Sequence, residues 1–278
     1  MIELGRWQKL KVVRSKDFGV YLSDGSNDDE AVLLPRKQVP QDLKAGGEIE
    51  VFVYKDSEDR KIATVNMPLI TMGEIAPLKV ANVSSIGAFM DWGLEKDILL
   101  PFKEQTTKVK EGKEYLVRMY VDKSERLCVS MHLYGHLLQD SGYQAGDEVE
   151  GMVYEVREGW GAFVAVENTY SGLIPQKELY AKLQPGDVVH ARVTEVLEDG
   201  KLNLSVRKPA YQQSEDDAES VYQLIESYDG VLPFTEKASP EVIQRETGLS
   251  KAAFKRAVGK LYKERKITID DGKIRINN

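Results

Sequence analysis

The sequence predicts a mostly β chain with a C-terminal α+β domain, three small closed sheets following one another before the helical part. Three observations predict it. Within residues 150–207, three apolar runs alternate with polar residues and are parted by Gly, Pro or acidic turns, the period-two signature of short, half-buried antiparallel strands. The same arrangement occurs twice upstream. Beyond Asp217 the apolar period lengthens to that of a helix.

The clearest copy reads EGMVYEVREGWGAFVAV, SGLIPQKEL and LQPGDVVHARVTEVLEDGKLNLSVR. Trp160 and Phe163 flank Gly161 where the first strand hands over to the second. A glycine there admits a bulge or sharp bend, so both rings are expected on one outer surface. The copy resembles an S1-type RNA-binding domain, a five-stranded OB-fold barrel. Four pieces in order carry the resemblance: Trp160-Gly161-Ala162-Phe163-Val164, Gly172-Leu173-Ile174-Pro175, Gly186 before a Val-rich strand, and Leu204-Ser205-Val206-Arg207.

The first copy has Phe18-Gly19-Val20-Tyr21, Leu33-Leu34-Pro35, Gly46 and Arg60-Lys61-Ile62-Ala63-Thr64. The second has Ile86-Gly87-Ala88-Phe89, Leu99-Leu100-Pro101, Gly112 and Arg126-Leu127-Cys128-Val129-Ser130. Proline and the next aligned glycine are 11 residues apart in every copy: 35 to 46, 101 to 112 and 175 to 186. The first copy also carries a short acidic insertion, from Asp24 to Asp29, which reads as a solvated hairpin tip because no ordered ligand spacing or histidine accompanies it.

In the C-terminal part Val221, Leu224, Ile225 and Tyr228 form a helical stripe. Ser239-Pro240-Glu241 opens a second helix with a cap, a proline at the first helical position and an acid in the first turn. Thr247-Gly248-Leu249-Ser250 ends it and caps a third, KAAFKRAVGKLYKERK. Strands at residues 267–269 and 273–276 flank Asp270-Asp271-Gly272. This order resembles a winged-helix domain. The expected organisation is three tandem S1-like OB-fold barrels, residues 1–68, 73–136 and 145–209, followed by a winged-helix domain at 215–278.

A length of 278 residues suits two to four domains. A net charge of -7 argues against coating nucleic acid by bulk charge, so any contact must come from local patches. The single Cys128 excludes an internal disulfide and a multi-cysteine zinc site. No signal-peptide core or spanning apolar run is evident, so the chain reads as soluble and cytoplasmic. His132, His136 and His190 have no ligand partners at metal spacing, and Gly159 and Gly161 form a lone GxG. Cys128 lies mid-strand among apolar neighbours and reads as buried. No catalytic residue, metal or cofactor is expected.

Three S1-like barrels and a winged helix together resemble the conserved virulence factor B family of bacterial proteins. The resemblance covers nearly the whole chain. It implies RNA binding linked to control of gene expression, without catalysis. S1 domains hold single-stranded RNA on an open barrel face, with exposed rings on bases and cations on phosphates. Carried over by position, the rings are Trp160 and Phe163, Phe18 and Tyr21, and Phe89 alone in the second copy. An acid followed four residues later by arginine also belongs to the pattern, matched by Asp56 with Arg60 and Asp122 with Arg126. The third copy offers Lys201 there and Arg207 at its end. The histidine usual after the third strand is replaced by Pro35, Pro101 and Pro175.

Burial competes with each ring. Phe52, Phe89, Phe102 and Tyr120 read as core, while Trp160 with Phe163 reads as exposed. The third helix of the winged domain carries Lys251, Lys255, Arg256, Lys260, Lys263, Arg265 and Lys266 against Glu264. A phosphate backbone complements such an element, in duplex DNA or structured RNA; a lysine-rich solvated face is the other reading. Single-stranded RNA is thus the leading partner. A DNA-binding transcriptional regulator and a scaffold for ribosomal or polymerase proteins are the alternatives.

Overall fold

The computed structural model describes residues 1–27, 30–179, 182–207 and 210–277, with the backbone alone at 210–214. Of the acidic insertion, Asp28 and Asp29 lie outside the described residues, as do Lys208 and Pro209 at the end of the third expected barrel. The chain forms two compact units, one running to Val206 and one starting at Arg207.

The first unit holds three closed barrels. Barrel 1 consists of β1 (Trp7–Lys16), β2 (Gly19–Ser23), β3 (Val32–Pro35), β4 (Glu48–Lys55) and β5 (Lys61–Thr64). Barrel 2 consists of β6 (Ile75–Val83), β7 (Gly87–Asp91), β8 (Ile98–Pro101), β9 (Glu114–Val121) and β10 (Leu127–Ser130). Barrel 3 consists of β11 (Glu148–Arg157), β12 (Gly161–Val166), β13 (Tyr170–Pro175), β14 (Val188–Val196) and β15 (Leu202–Ser205). In each, the third and fifth strands pair parallel and close a sheet that is otherwise antiparallel. Closure leaves no long unpaired edge.

Alternation fills the interiors. In barrel 3, Ala162, Val164 and Val166 point inward with Val153, Ile174, Val193 and Leu204. The alternate residues, Phe163 and Ala165, belong to a second buried cluster with Leu116, Leu133, Leu137, Met152 and Tyr154, which joins barrels 2 and 3. Barrels 1 and 2 share a core as well: Phe52 and Tyr54 meet Trp92 edge to face at 5.8 and 5.9 Å.

The expected bend at the glycine falls elsewhere. Register slips between Val12 and Arg14, between Val80 and Asn82 and between Val153 and Glu155, so the bulge lies in the first strand of every barrel. Gly161 serves a closer need. A Cβ there would lie 2.0 Å from the Ile174 carbonyl oxygen, and at Gly19 and Gly87 one would lie 2.2 Å and 2.3 Å from those of Leu34 and Leu100. Only a residue without a side chain lets these strands approach.

The second unit contains α1 (Ala210–Ser227), β16 (Val231–Leu232), α2 (Pro240–Thr247), α3 (Lys251–Lys263), β17 (Ile267–Asp270) and β18 (Lys273–Ile276), with sheet order β16-β18-β17. The Ser239 hydroxyl accepts from the Val242 N–H, and Gly248 adopts the left-handed conformation that ends α2. Phe254, Ala257, Val258 and Leu261 form the buried stripe of α3 and pack with Val221 and Ile225 of α1. Strand β16 had no counterpart in the sequence reading, because two residues are too few to show a period. Among the described residues no helix is long and apolar enough to cross a membrane.

Candidate nucleic-acid interface

Barrel 3 separates its two expected rings. The Trp160 backbone is pinned, its N–H donating to the Arg157 carbonyl at 3.2 Å and its own carbonyl accepting from Gln176 at 2.9 Å. Its ring projects from the turn between β11 and β12 and is 65% exposed. Phe163 is only 5% exposed, which corrects the expectation that both rings face solvent. The ring does point away from the barrel interior, but the segment leaving barrel 2 runs over it: Leu133 and Leu137 are buried in the same cluster. Tyr134 from that segment stands against Phe163 at 5.7 Å and 89°, and Tyr154 lies 6.1 Å away.

Two cations frame this ring group. The Arg157 guanidinium lies 4.7 Å from the Phe163 centroid and 5.2 Å from that of Tyr134, and the Lys201 ammonium lies 5.7 Å from Tyr134. Both distances from Arg157 suit a cation–π contact. Each cation also holds an acid. Arg157 donates twice to Glu155 at 2.7 Å, and Lys201 meets Asp199 at 2.7 Å. The Lys201 hydrogen bond pulls the Asp199 carboxyl below its usual range. Arg207 is exposed just past β15.

Barrel 1 keeps the more open version. Phe18 is 56% exposed, and its ring meets the half-buried Tyr21 edge to face at 6.3 Å. Arg14, paired with Tyr21 across β1 and β2, places its guanidinium 4.9 Å from that ring. Arg14 has no ion-pair partner among the described residues. Arg60 is occupied, donating from two nitrogens to Asp56 at 2.9 and 2.8 Å and pairing with Glu58 at 2.7 Å.

Barrel 2 is the least open. Phe89 is half-buried in a cavity of about 220 Å³ whose walls include Ile86 and Arg126 and, from barrel 1, Tyr54, Lys55 and Asp59. The Asp122 carboxylate accepts the backbone N–H groups of Ser124 and Arg126, while the Arg126 guanidinium reaches across to Asp59. The spacing of four residues therefore produces a side-chain pair in barrel 1 but not in barrel 2. Phe52 is core as expected, whereas Phe102, on the turn after β8, is exposed.

On α3 the expected cations divide. Lys255, Arg256 and Lys263 are exposed and have no ion-pair partner among the described residues. Lys260 meets Glu215 at 3.4 Å, and Lys251 donates to the Ala238 carbonyl at 2.9 Å. The helix ends at Lys263, so Arg265 and Lys266 lie beyond it, and Lys266 is paired with Glu264 at 3.0 Å.

Sequence reasoning missed Arg14, Arg157 and Tyr134. Arg14 and Arg157 meet their rings only once the bulged register of the first strand is known. Tyr134 carries no signal, lying in a connecting segment far upstream of Phe163.

Tandem OB-type barrels followed by a winged helix, with ring and cation groups on the barrels and a cationic face on α3, define a protein assembled from nucleic-acid-binding domain types. An S1 domain matches residues 4–66 and 72–132, a CvfB-like winged helix domain matches 219–276, and the second domain of virulence regulatory factor CvfB matches 139–209. Conserved virulence factor B from Staphylococcus aureus strain bovine RF122 is 32% identical over 272 residues, spanning 91% of this chain and 88% of its own, and the protein of strain USA300 matches to the same extent. The chain belongs to the conserved virulence factor B family. A crystal structure of a multidomain protein with nucleic acid binding domains from Streptococcus pneumoniae shares the fold, with a TM-score of 0.54 and 24% identity over 99% of this chain and 98% of that one.

Proposed function

We propose that this chain is a non-enzymatic, cytoplasmic protein that binds single-stranded RNA and acts in the control of gene expression. One arrangement carries the reading by recurring. In barrels 1 and 3 an exposed ring, Phe18 or Trp160, precedes a glycine and a second ring that has a guanidinium 4.9 or 4.7 Å from its centroid. Exposed rings stack on any base, at about 1–3 kcal/mol each, while a cation such as Arg14, with no ion-pair partner among the described residues, can follow the backbone. The exposed Lys255, Arg256 and Lys263 of α3, with no ion-pair partner among the described residues, add a phosphate-binding face on the second unit. Matching the regulatory factor's second domain over residues 139–209 supports the regulatory part.

The α3 cations also favour a second reading, a DNA-binding regulator whose barrels contact other proteins. Competition between single-stranded RNA and duplex DNA for the full chain, read by fluorescence anisotropy, separates the two. The first reading expects single-stranded RNA to win and Trp160→Ala to weaken it. A preference for duplex that Lys255→Glu with Arg256→Glu abolishes, and that Trp160→Ala leaves intact, would replace it with the second.

A further inference from the structure

We propose that the second base-stacking ring of barrel 3, in addition to Trp160, is Tyr134, donated by the segment that leaves barrel 2. The inference rests on the reading that barrel 3 binds single-stranded RNA and names a residue of that site. Phe163 occupies the position that the sequence pattern assigns to the second ring, yet at 5% exposure it has almost no face to offer a base. Tyr134 stands directly on it, perpendicular at 5.7 Å, and is itself 52% exposed. The ring is held by Phe163, perpendicular to it, with the Arg157 guanidinium and the Lys201 ammonium over it at 5.2 Å and 5.7 Å from its centroid. A half-exposed ring with its position set by packing and cation–π contacts loses little rotamer freedom when a base settles on it.

The chemistry of the donated ring also matches what the barrel lacks. Pro175 stands where a histidine with a stacking face and a hydrogen-bonding group is expected, and it supplies neither. Tyr134 has both a ring face and a phenol hydroxyl, and that hydroxyl has no partner among the described residues. Because Arg157 and Lys201 are each already paired with a carboxylate, the site is close to neutral and selects for a base plane more than for phosphate. Barrel 3 would therefore be a complete platform only when joined to the end of barrel 2.

The test uses the full chain and a fluorescein-labelled single-stranded RNA of about 16 nucleotides, the upper site size of one OB-type barrel. Affinity is compared for wild type, Tyr134→Ala, Tyr134→Phe and Trp160→Ala, and photo-cross-links from a thiouridine-bearing strand are mapped to peptides, a readout that needs no variant to fold. The proposal expects Tyr134→Ala to weaken binding roughly five-fold or more, the effect of one stacked base. Tyr134→Phe, which keeps the ring and loses only the hydroxyl, should retain most of the affinity that Tyr134→Ala loses, and a cross-link should fall on Tyr134. If Trp160→Ala weakens binding while Tyr134→Ala leaves it unchanged or tightens it, Tyr134 is a bystander or a lid and the proposal fails, with the RNA-binding reading of barrel 3 intact. If neither variant changes affinity and no cross-link falls in residues 131–207, both fail. A loss with Tyr134→Phe as large as with Tyr134→Ala would transfer the contact from the ring to the hydroxyl and overturn stacking.

Discussion

Phe163→Ala and Trp160→Ala should have opposite consequences, although the two residues are only three apart, one in the turn before β12 and one within β12. Phe163 is buried between barrels 2 and 3 in contact with the rings of Tyr134 and Tyr154. Deleting a buried phenylalanine ring costs about 3–5 kcal/mol, the lost transfer energy plus the cavity left behind. A domain is stable by only about 5–15 kcal/mol, so this is a large fraction of the total. With a urea m-value of about 1–3 kcal/mol/M, the unfolding midpoint should fall by about 1 M or more. Trp160, at 65% exposure, touches little, and its removal should stay within about 0.5 kcal/mol. Its effect should appear in binding instead, as a loss of roughly 5- to 150-fold for one stacked base. Urea unfolding followed by circular dichroism, alongside anisotropy titration with single-stranded RNA, measures both. A Phe163→Ala chain with an unshifted midpoint would refute the reasoning, since its ring could not then be filling the space between the barrels.

Other outcomes follow from the same geometry. Replacing Lys255, Arg256 and Lys263 with glutamine should flatten the dependence of log affinity on log salt by about 2, at about 0.7 per phosphate contact on a single strand, whereas Trp160→Ala should leave that slope unchanged. Gly161→Ala should destabilise barrel 3 by more than the roughly 1–3 kcal/mol of an unfavourable backbone conformation, because φ is +127° and the added Cβ meets a carbonyl at 2.0 Å; thermal unfolding would show it. Burial, with Asp122 nearby, pushes the Cys128 thiol up from 9.0 to about 11. The folded state therefore holds that proton after the unfolded state has lost it, so the thiol's contribution to stability should decline as pH rises from about 9 to about 11. At neutral pH the thiol should react with iodoacetamide only after unfolding, which mass spectrometry of the intact and urea-treated chain would detect.

Much of the architecture was legible because each barrel repeats local chemistry. The glycine before each second ring and the proline ending each third strand recur in all three copies, and the period-two runs between them read as strands without reference to anything distant. The Ser239 and Ser250 caps and the left-handed Gly248 marked the helices of the second unit in the same local way. The site was legible only in outline. Phe18 and Trp160 stand out as expected, since they sit at turns that nothing covers. Arg60, Lys201 and Lys260 were expected to face phosphate, yet each has a carboxylate partner whose proximity depends on loop geometry or on another helix.

The sequence alone determined which residues alternate into each interior, where the strands turn and which domain types follow one another, because these depend on periods and turn chemistry within a few residues. The tertiary structure decided which outward-facing rings remain outward. The outer side of a barrel strand carries the same pattern whether it meets water or another barrel, and the segment that covers Phe163 and supplies Tyr134 is brought there only when barrels 2 and 3 pack together.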